Sequence, residues 1–172
     1  MKIILVKPSF EYKVSFLAAL REFQAEGLPW VMDIDPVELA NNFEKFVNDE
    51  NSKMTNWTKD SPVPQTELWG IVDGEYAGRI AIRHKLNEDL KIMGGHIGYD
   101  TRPSFRGKGI ASSMFAQALP VAKSLGITEA LITCNDNNFA SIRIIEKNGG
   151  ELRETKLQAP DGPLKRYYWI TL

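Results

Sequence analysis

Two glycines set between two basic side chains stand at the mouth of an apolar-periodic run. The stretch is Phe105-Arg106-Gly107-Lys108-Gly109-Ile110-Ala111, and Met114, Phe115, Ala118 and Leu119 follow it at helical spacing. A helix start carries unpaired N–H groups and the positive end of the helix dipole. Glycines there let a ligand approach the backbone closely, and Arg106 and Lys108 add charge beside it. The pattern points to an anion site for phosphate or diphosphate; its plainer reading is a tight turn with two solvated cations. It is not a P-loop, which needs GxxxxGK[ST]. A dinucleotide fingerprint is also a poor fit, because Ser112 stands where its third glycine belongs.

Other groups able to do chemistry are few. His84 and His96 are the only side chains whose ordinary pKa lies near neutrality, so they are the first candidates for a general base. His96 is the nearer of the two to the glycine-rich turn and is the candidate catalytic residue. Strand alternation, however, sets its side chain opposite to that of Ile97. Glu67 and Glu75 are further candidates for that base, each with the plainer reading of a solvated surface carboxylate. Arg79 and Arg83 share one strand face and suit either an acidic acceptor or solvent. The one cysteine, Cys134, sits in the apolar run ALITC and reads as a small buried hydrophobe. One Cys and two His make a metal site improbable. Trp57, Trp69, Tyr167, Tyr168 and Trp169 suit either the lining of an acceptor pocket or, more plainly, core packing and a sheet face.

These residues need a frame. The 172 residues suggest one domain over 1–172, and 43% hydrophobic with 25% charged residues is an ordinary globular balance. A net charge of −1 gives no general attraction to polyanions, so nucleic acid is not an expected partner. No run approaches the ~18 apolar residues of a membrane span, and MKIILVKPSF is too short in its apolar part for a signal peptide. A cytoplasmic location, with no membrane partner, is expected.

Met1 to Val6 reads as a short buried strand. Ser9 can cap a helix carrying Tyr12, Phe16, Leu20 and Phe23, stopped at Gly27. Asp35-Pro36 opens a second helix reaching Val47. A loop from Asn48 to Gln65 follows. Three strands come next: ELWGIV, a turn at Asp73-Gly74, EYAGRIAIRHKL, then IMGGHIGYD, whose glycines suggest a bulge or a close backbone approach. After the helix from about Gly107 to Leu125 come a strand, a shorter helix from about Asn138 to Lys147, and two last strands joined by a turn at Pro160-Asp161-Gly162. The order β-α-α-β-β-β-α-β-α-β-β describes an α/β (α+β) domain. Its central twisted sheet has about seven strands, mixed but mostly antiparallel, flanked by about four helices.

The stretch HIGYDTRPSFRGKGIASSMFAQAL resembles the acyl-CoA-binding motif of the GNAT superfamily of N-acetyltransferases, Q/R-x-x-G-x-G/A at a helix start after a bulged strand. Arg106 to Ala111 matches it; a register beginning at Ser104 keeps both glycines and loses the Gln/Arg. A second signature, in CNDNNFASIRIIEKNGGEL, resembles the same family: an Asn, then Ala-Ser, then an apolar helix. The element order agrees as well. The resemblance implies transfer of an acetyl group from acetyl-CoA, without a metal, to a primary amine on a small molecule or peptide. It implies that the coenzyme A diphosphate lies on N–H groups of Phe105, Arg106, Gly107, Lys108, Gly109, Ile110 and Ala111. The pantetheine arm is then expected along Ile97, Gly98 and Tyr99, and in reach of Asn138 and Ser141. Many relatives place an acidic Tyr where this chain has Ile145. A non-catalytic acyl-CoA-binding module and a nucleotide-dependent oxidoreductase are the alternatives. Either a monomer or a homodimer is compatible with the sequence.

Overall fold

The structure is a computed structural model that describes residues 2–55, 63–157 and 162–172. Trp57, much of the loop expected over 48–65, and Pro160-Asp161 of the last turn lie outside the described residues. The strands are β1 (Ile3–Val6), β2 (Gln65–Val72), β3 (Glu75–Arg83), β4 (Ile97–Thr101), β5 (Glu129–Asn135), β6 (Glu151–Leu157) and β7 (Leu164–Thr171). The helices are α1 (Lys13–Ala25), α2 (Pro29–Met32), α3 (Pro36–Asn41), α4 (Phe43–Ser52), α5 (Glu88–Ile92), α6 (Ile110–Ser124) and α7 (Phe139–Lys147).

The fold is mixed α/β, with the seven strands expected. They form two antiparallel sheets rather than one, β1-β2-β3-β4 and β5-β7-β6. Three short helical pieces were not expected. Pro29 starts α2, and Asn87 caps α5 by accepting the Leu90 N–H. The helix begun at Pro36 breaks at Asn42, whose backbone leaves helical geometry, and restarts as α4 to run on to Ser52. Ser9 caps a 3-10 turn, Phe10–Tyr12, that leads into α1. The expected bulge in β4 is absent. Between β2 and β3 the register shifts at Gly70/Ile71, leaving Ala77 as the extra residue.

Two cores sandwich the first sheet. On one face Leu68, Ile80, Ile82 and Ile97 pack on α6 through Met114, Phe115 and Ala118, and on α7 through Ile142 and Ile145. Met114 and Phe115 are fully buried, each contributing about 2–3 kcal/mol. On the other face Trp69, Ile71 and Tyr76 pack on Ala19, Leu20 and Phe23 of α1 and on Phe43 and Val47 of α4. Alternation along β2 thus sends Leu68 to one layer and Glu67 and Trp69 to the other.

Candidate active site

The two sheets meet at one point and then part. Gly95 bridges Ile132, and the His96 N–H donates to the Leu131 carbonyl at 2.7 Å. Gly95 has φ +63, and a Cβ there would strike the Leu131 carbonyl, so only glycine lets the chains come this close. From Ile97 onward β4 pairs with β3 alone. The phase of that ladder is set by its ends: Arg83 N–H donates to the His96 carbonyl at 2.8 Å, and Arg102 N–H to the Ala77 carbonyl at 2.9 Å. Hydrogen-bonded pairs alternate along an antiparallel ladder. Gly98 and Asp100 therefore turn their backbone groups to Ala81 and Arg79, their register partners. Ile97, Tyr99 and Thr101 turn theirs to the open edge. Gly98, expected to offer its backbone to a ligand, does not; Thr101 does.

The start of α6 borders this edge. Gly109 is its N-cap at φ +77, and no side chain caps the helix. Gly107 has φ +73, and nothing lies within 4 Å of where a Cβ would stand at either glycine. The N–H groups of Ile110, Ala111 and Ser112 have no partner one turn back. The cradle is narrower than expected on one side, since the Phe105 and Arg106 N–H groups already donate to the Arg102 and Pro103 carbonyls. The basic side chains also fold back. Arg106 grips both Glu26 oxygens, at 2.7 and 2.8 Å, and Lys108 donates to the Ser104 carbonyl.

Beneath the loop, Arg102 is buried between Glu22 at 2.7 Å and Glu75 at 3.1 Å. Glu22 also accepts from the Ser104 N–H and hydroxyl. Burial pushes the Glu22 carboxyl up, but the Ser104 and Arg102 hydrogen bonds more than offset it, leaving the net shift downward.

A cleft joins these parts. One end is lined by Thr101, Arg106, Gly107, Gly109 to Ser112, and Arg143; the other runs into the gap between β4 and β5, past Arg83, Gly98, Cys134 and Lys165. Tyr99, Asn138 and Ser141 line both ends. Asn138 Oδ1 caps α7 by accepting the Ser141 N–H at 3.1 Å, which leaves its amide nitrogen for a ligand. The Tyr99 hydroxyl lies buried beside Ser141 without a hydrogen-bond partner among the described residues, and burial pushes it up to about 12. Cys134 is buried, as expected, yet borders the gap. Arg143, an exposed cation on the α7 wall without an ion-pair partner among the described residues, was missed, because nothing in the sequence separates it from any solvated helix arginine.

The two histidines lie away from this cleft. His96 Nδ1 accepts the Leu131 N–H at 2.9 Å, clamping the sheets together; burial and then the Arg83 charge hold its pKa below the usual value. His84 Nε2 pairs with the Thr66 hydroxyl, and burial lowers its pKa too.

The carboxylates reverse their expected standing. Glu75 is exposed and held by Arg102, but Glu67 is buried at 4% exposure. Its Oε1 lies 3.6 Å from Arg79 Nη1, and its Oε2 has no partner among the described residues. Burial raises it to about 7, with Arg79 pulling the other way. Arg79 is shared with Asp100 at 3.0 Å and covered by the Trp30 ring at 4.6 Å. Glu67, Ala81 and Gly98 are register partners across β2, β3 and β4, so they stand in a row on one face. That span is roughly 10 Å; the Ala81 methyl stands in its middle, and the Arg83 guanidinium covers the Gly98 end, 3.5 Å from where a Cβ would stand.

A GNAT acetyltransferase domain profile matches residues 15–151, and the chain belongs to that family. The dinucleotide alternative gives way to this membership. No curated protein sequence matches it significantly. Solved structures share the fold at low identity. RimL, a ribosomal-protein α-N-acetyltransferase in complex with coenzyme A, is 18% identical with TM-score 0.73, covering 100% of this chain and 95% of its own. RimJ of Mycobacterium smegmatis, with coenzyme A disulfide, is 16% identical at 0.72, covering 98% and 81%. The microcin self-immunity acetyltransferase MccE, bound to acetyl-CoA and AMP, is 15% identical at 0.70, covering 99% and 93%. Among the described residues no group of His, Cys, Asp or Glu could hold a metal, and no helix is long and apolar enough to cross a membrane.

Proposed function

We propose that the protein transfers the acetyl group of acetyl-CoA to a primary amine, as a single domain over residues 1–172. The observation that carries this reading is the uncapped α6 start beside a strand with one free edge. N–H groups over Gly107 to Ser112 receive the diphosphate, with Arg143 facing it across the cleft. The pantetheine arm pairs with the free backbone groups of Ile97, Tyr99 and Thr101, as an added strand would. Asn138 and Ser141 hold it from the α7 side.

The acyl end then lies in the gap beside Gly98. The amine nitrogen attacks the thioester carbonyl carbon from the Glu67 side. A C–N bond forms as the C–S bond breaks, and a backbone N–H of the free β4 edge stabilises the oxyanion. Glu67, through water along the Ala81 row, takes the ammonium proton; its raised pKa suits a base near neutrality. His96 is spent on the sheet clamp, so Glu67 replaces it as the proposed base. The thiolate leaves with a hydroxyl at hand, Ser141 beside Tyr99, where relatives carry the Tyr that is Ile145 here.

The test is ligand binding followed by turnover. Coenzyme A at ~100-fold over its Kd stabilises a binding fold by ~2.7 kcal/mol, a shift of several degrees for a domain of this size, and NAD(P) gives none. Amine-dependent release of coenzyme A completes the demonstration. No shift with coenzyme A, or a shift with NAD(P), overturns the reading.

A further inference from the structure

The layer under α1, α2 and α4 holds a cavity of about 140 Å³ that the donor cleft does not use. Phe16, Phe23, Trp30, Phe46, Trp69 and Tyr76 are its aromatic walls. Phe16 stacks on Trp69 at 4.8 Å, meets Tyr76 edge-on at 4.9 Å and touches Phe46 at 5.3 Å, and Phe23 and Trp30 form a second pair at 5.3 Å. Glu67 lies in the wall of this space with Oε2 unpartnered. A carboxylate oxygen desolvated among aromatic rings is costly unless a donor reaches it. Tyr76, Trp69 and Arg79 line the same space, but none of the described residues donates to Oε2, which leaves that position to a donor brought in with a ligand.

We infer that this cavity is the acceptor pocket, and that it takes a compact apolar primary amine with no acidic group, the carbon skeleton lying among the rings and the amino nitrogen directed past Glu67, with water between them, toward the acyl end. The inference rests on the acetyl-transfer reading above and names its substrate class. Three features set the class. First is size: a cavity of roughly 150 Å³ accepts benzene, so a ring or a branched chain of about six carbons fits here. Second is charge. The cationic group in the walls, Arg79, already faces Asp100 and Glu67 and lies under Trp30, so a carboxylate or phosphate inside the cavity finds no free counter-ion there; Arg83, bonded to the Gly94 and Gly95 carbonyls, stands outside these walls at the Gly98 end. Glu50, at the rim, is paired with Lys53. Third is position: from Glu67 the row through Ala81 leads to Gly98, where the acyl end of the cleft lies.

The experiment has a binding arm and a turnover arm. Trp30 and Trp69 line the cavity, so their fluorescence reports its filling directly. With coenzyme A present, benzylamine and cyclohexylamine give a saturable change. Glu67→Gln weakens it at least about tenfold, and Ala19→Leu, which puts bulk into the same cavity, removes it; both variants keep the coenzyme A melting shift. In turnover, benzylamine exceeds phenylalanine, putrescine and a serine-initiated tetrapeptide in kcat/KM by more than about tenfold. Preference for any of those three overturns the substrate class and leaves the acetyl-transfer reading standing. A flat fluorescence response to every amine, or equal binding by Glu67→Gln, overturns the pocket. Failure of coenzyme A itself to bind overturns both.

Discussion

The proposed donor cleft and the proposed acceptor layer lie on opposite faces of one sheet and are built from different materials. The cleft is made of backbone: helix-start amides at Ile110 to Ser112 and the free edge of β4. Its glycines are defined by what they lack, and of its charged side chains Arg106 and Lys108 are engaged by Glu26 and the Ser104 carbonyl, leaving Arg143 on the wall. The acceptor layer is made of side chains, six aromatic rings around one buried carboxylate. Backbone recognition suits a ligand that never changes, whereas side-chain recognition can be rewritten at each position.

The contrast can be broken by substitution. Gly109→Asp sets bulk and a negative charge at the proposed diphosphate position, at a φ that favours glycine; coenzyme A affinity is predicted to fall about 100-fold or more by titration calorimetry while the far-ultraviolet dichroism is kept. Glu67→Gln lowers kcat by about 10²-fold, in the range of a lost general base, with coenzyme A affinity unchanged. Unchanged kcat would move the base elsewhere. The same substitution has a stability signature. Because the folded Glu67 binds its proton up to about 7, the native protein loses stability as pH rises from the ordinary carboxylate range to about 7, and Glu67→Gln flattens that slope.

Smaller effects sharpen the picture. Arg143→Ala weakens coenzyme A by roughly tenfold, the loss of one charge-assisted contact, and the deficit shrinks at high salt. Glu22→Gln costs about 1–2 kcal/mol at neutral pH, since it loosens the Arg102 and Ser104 bonds under the cradle. The folded Glu22 pKa is lowered, so its contribution is present above the ordinary carboxylate range and fades as pH falls below it. Denaturant melts of both proteins at pH 7 and near pH 3 then converge.

The donor side was legible in the sequence because backbone sites are written in residue types with few other uses. Gly107 and Gly109 ahead of an apolar helix, and Asn138 ahead of another, could be placed before any coordinates. The acceptor side was legible only in outline, with Glu67 one of four base candidates and Trp69 one of five aromatics that suited a pocket wall. Glu67 sits in an ordinary strand pattern, and only the packing of α1 and α4 over β2 decides that it is buried. His96 shows the converse: its pKa drew attention, but a bond to the Leu131 amide gave it a structural task. A splay helped by Gly94, Gly95 and Gly98 was legible, but the division into two sheets was not, because the turn at Gly94-Gly95, rather than a bulge in β4, parts the strands.

Amide hydrogen exchange, resolved by residue, with and without coenzyme A, addresses the central claim most directly. Coenzyme A is predicted to slow exchange at Ile97, Tyr99 and Thr101 and at Ile110, Ala111 and Ser112, while Gly98 and Asp100, already bonded to β3, change little. Saturating coenzyme A that leaves those six amides exchanging at their free rates would contradict the account.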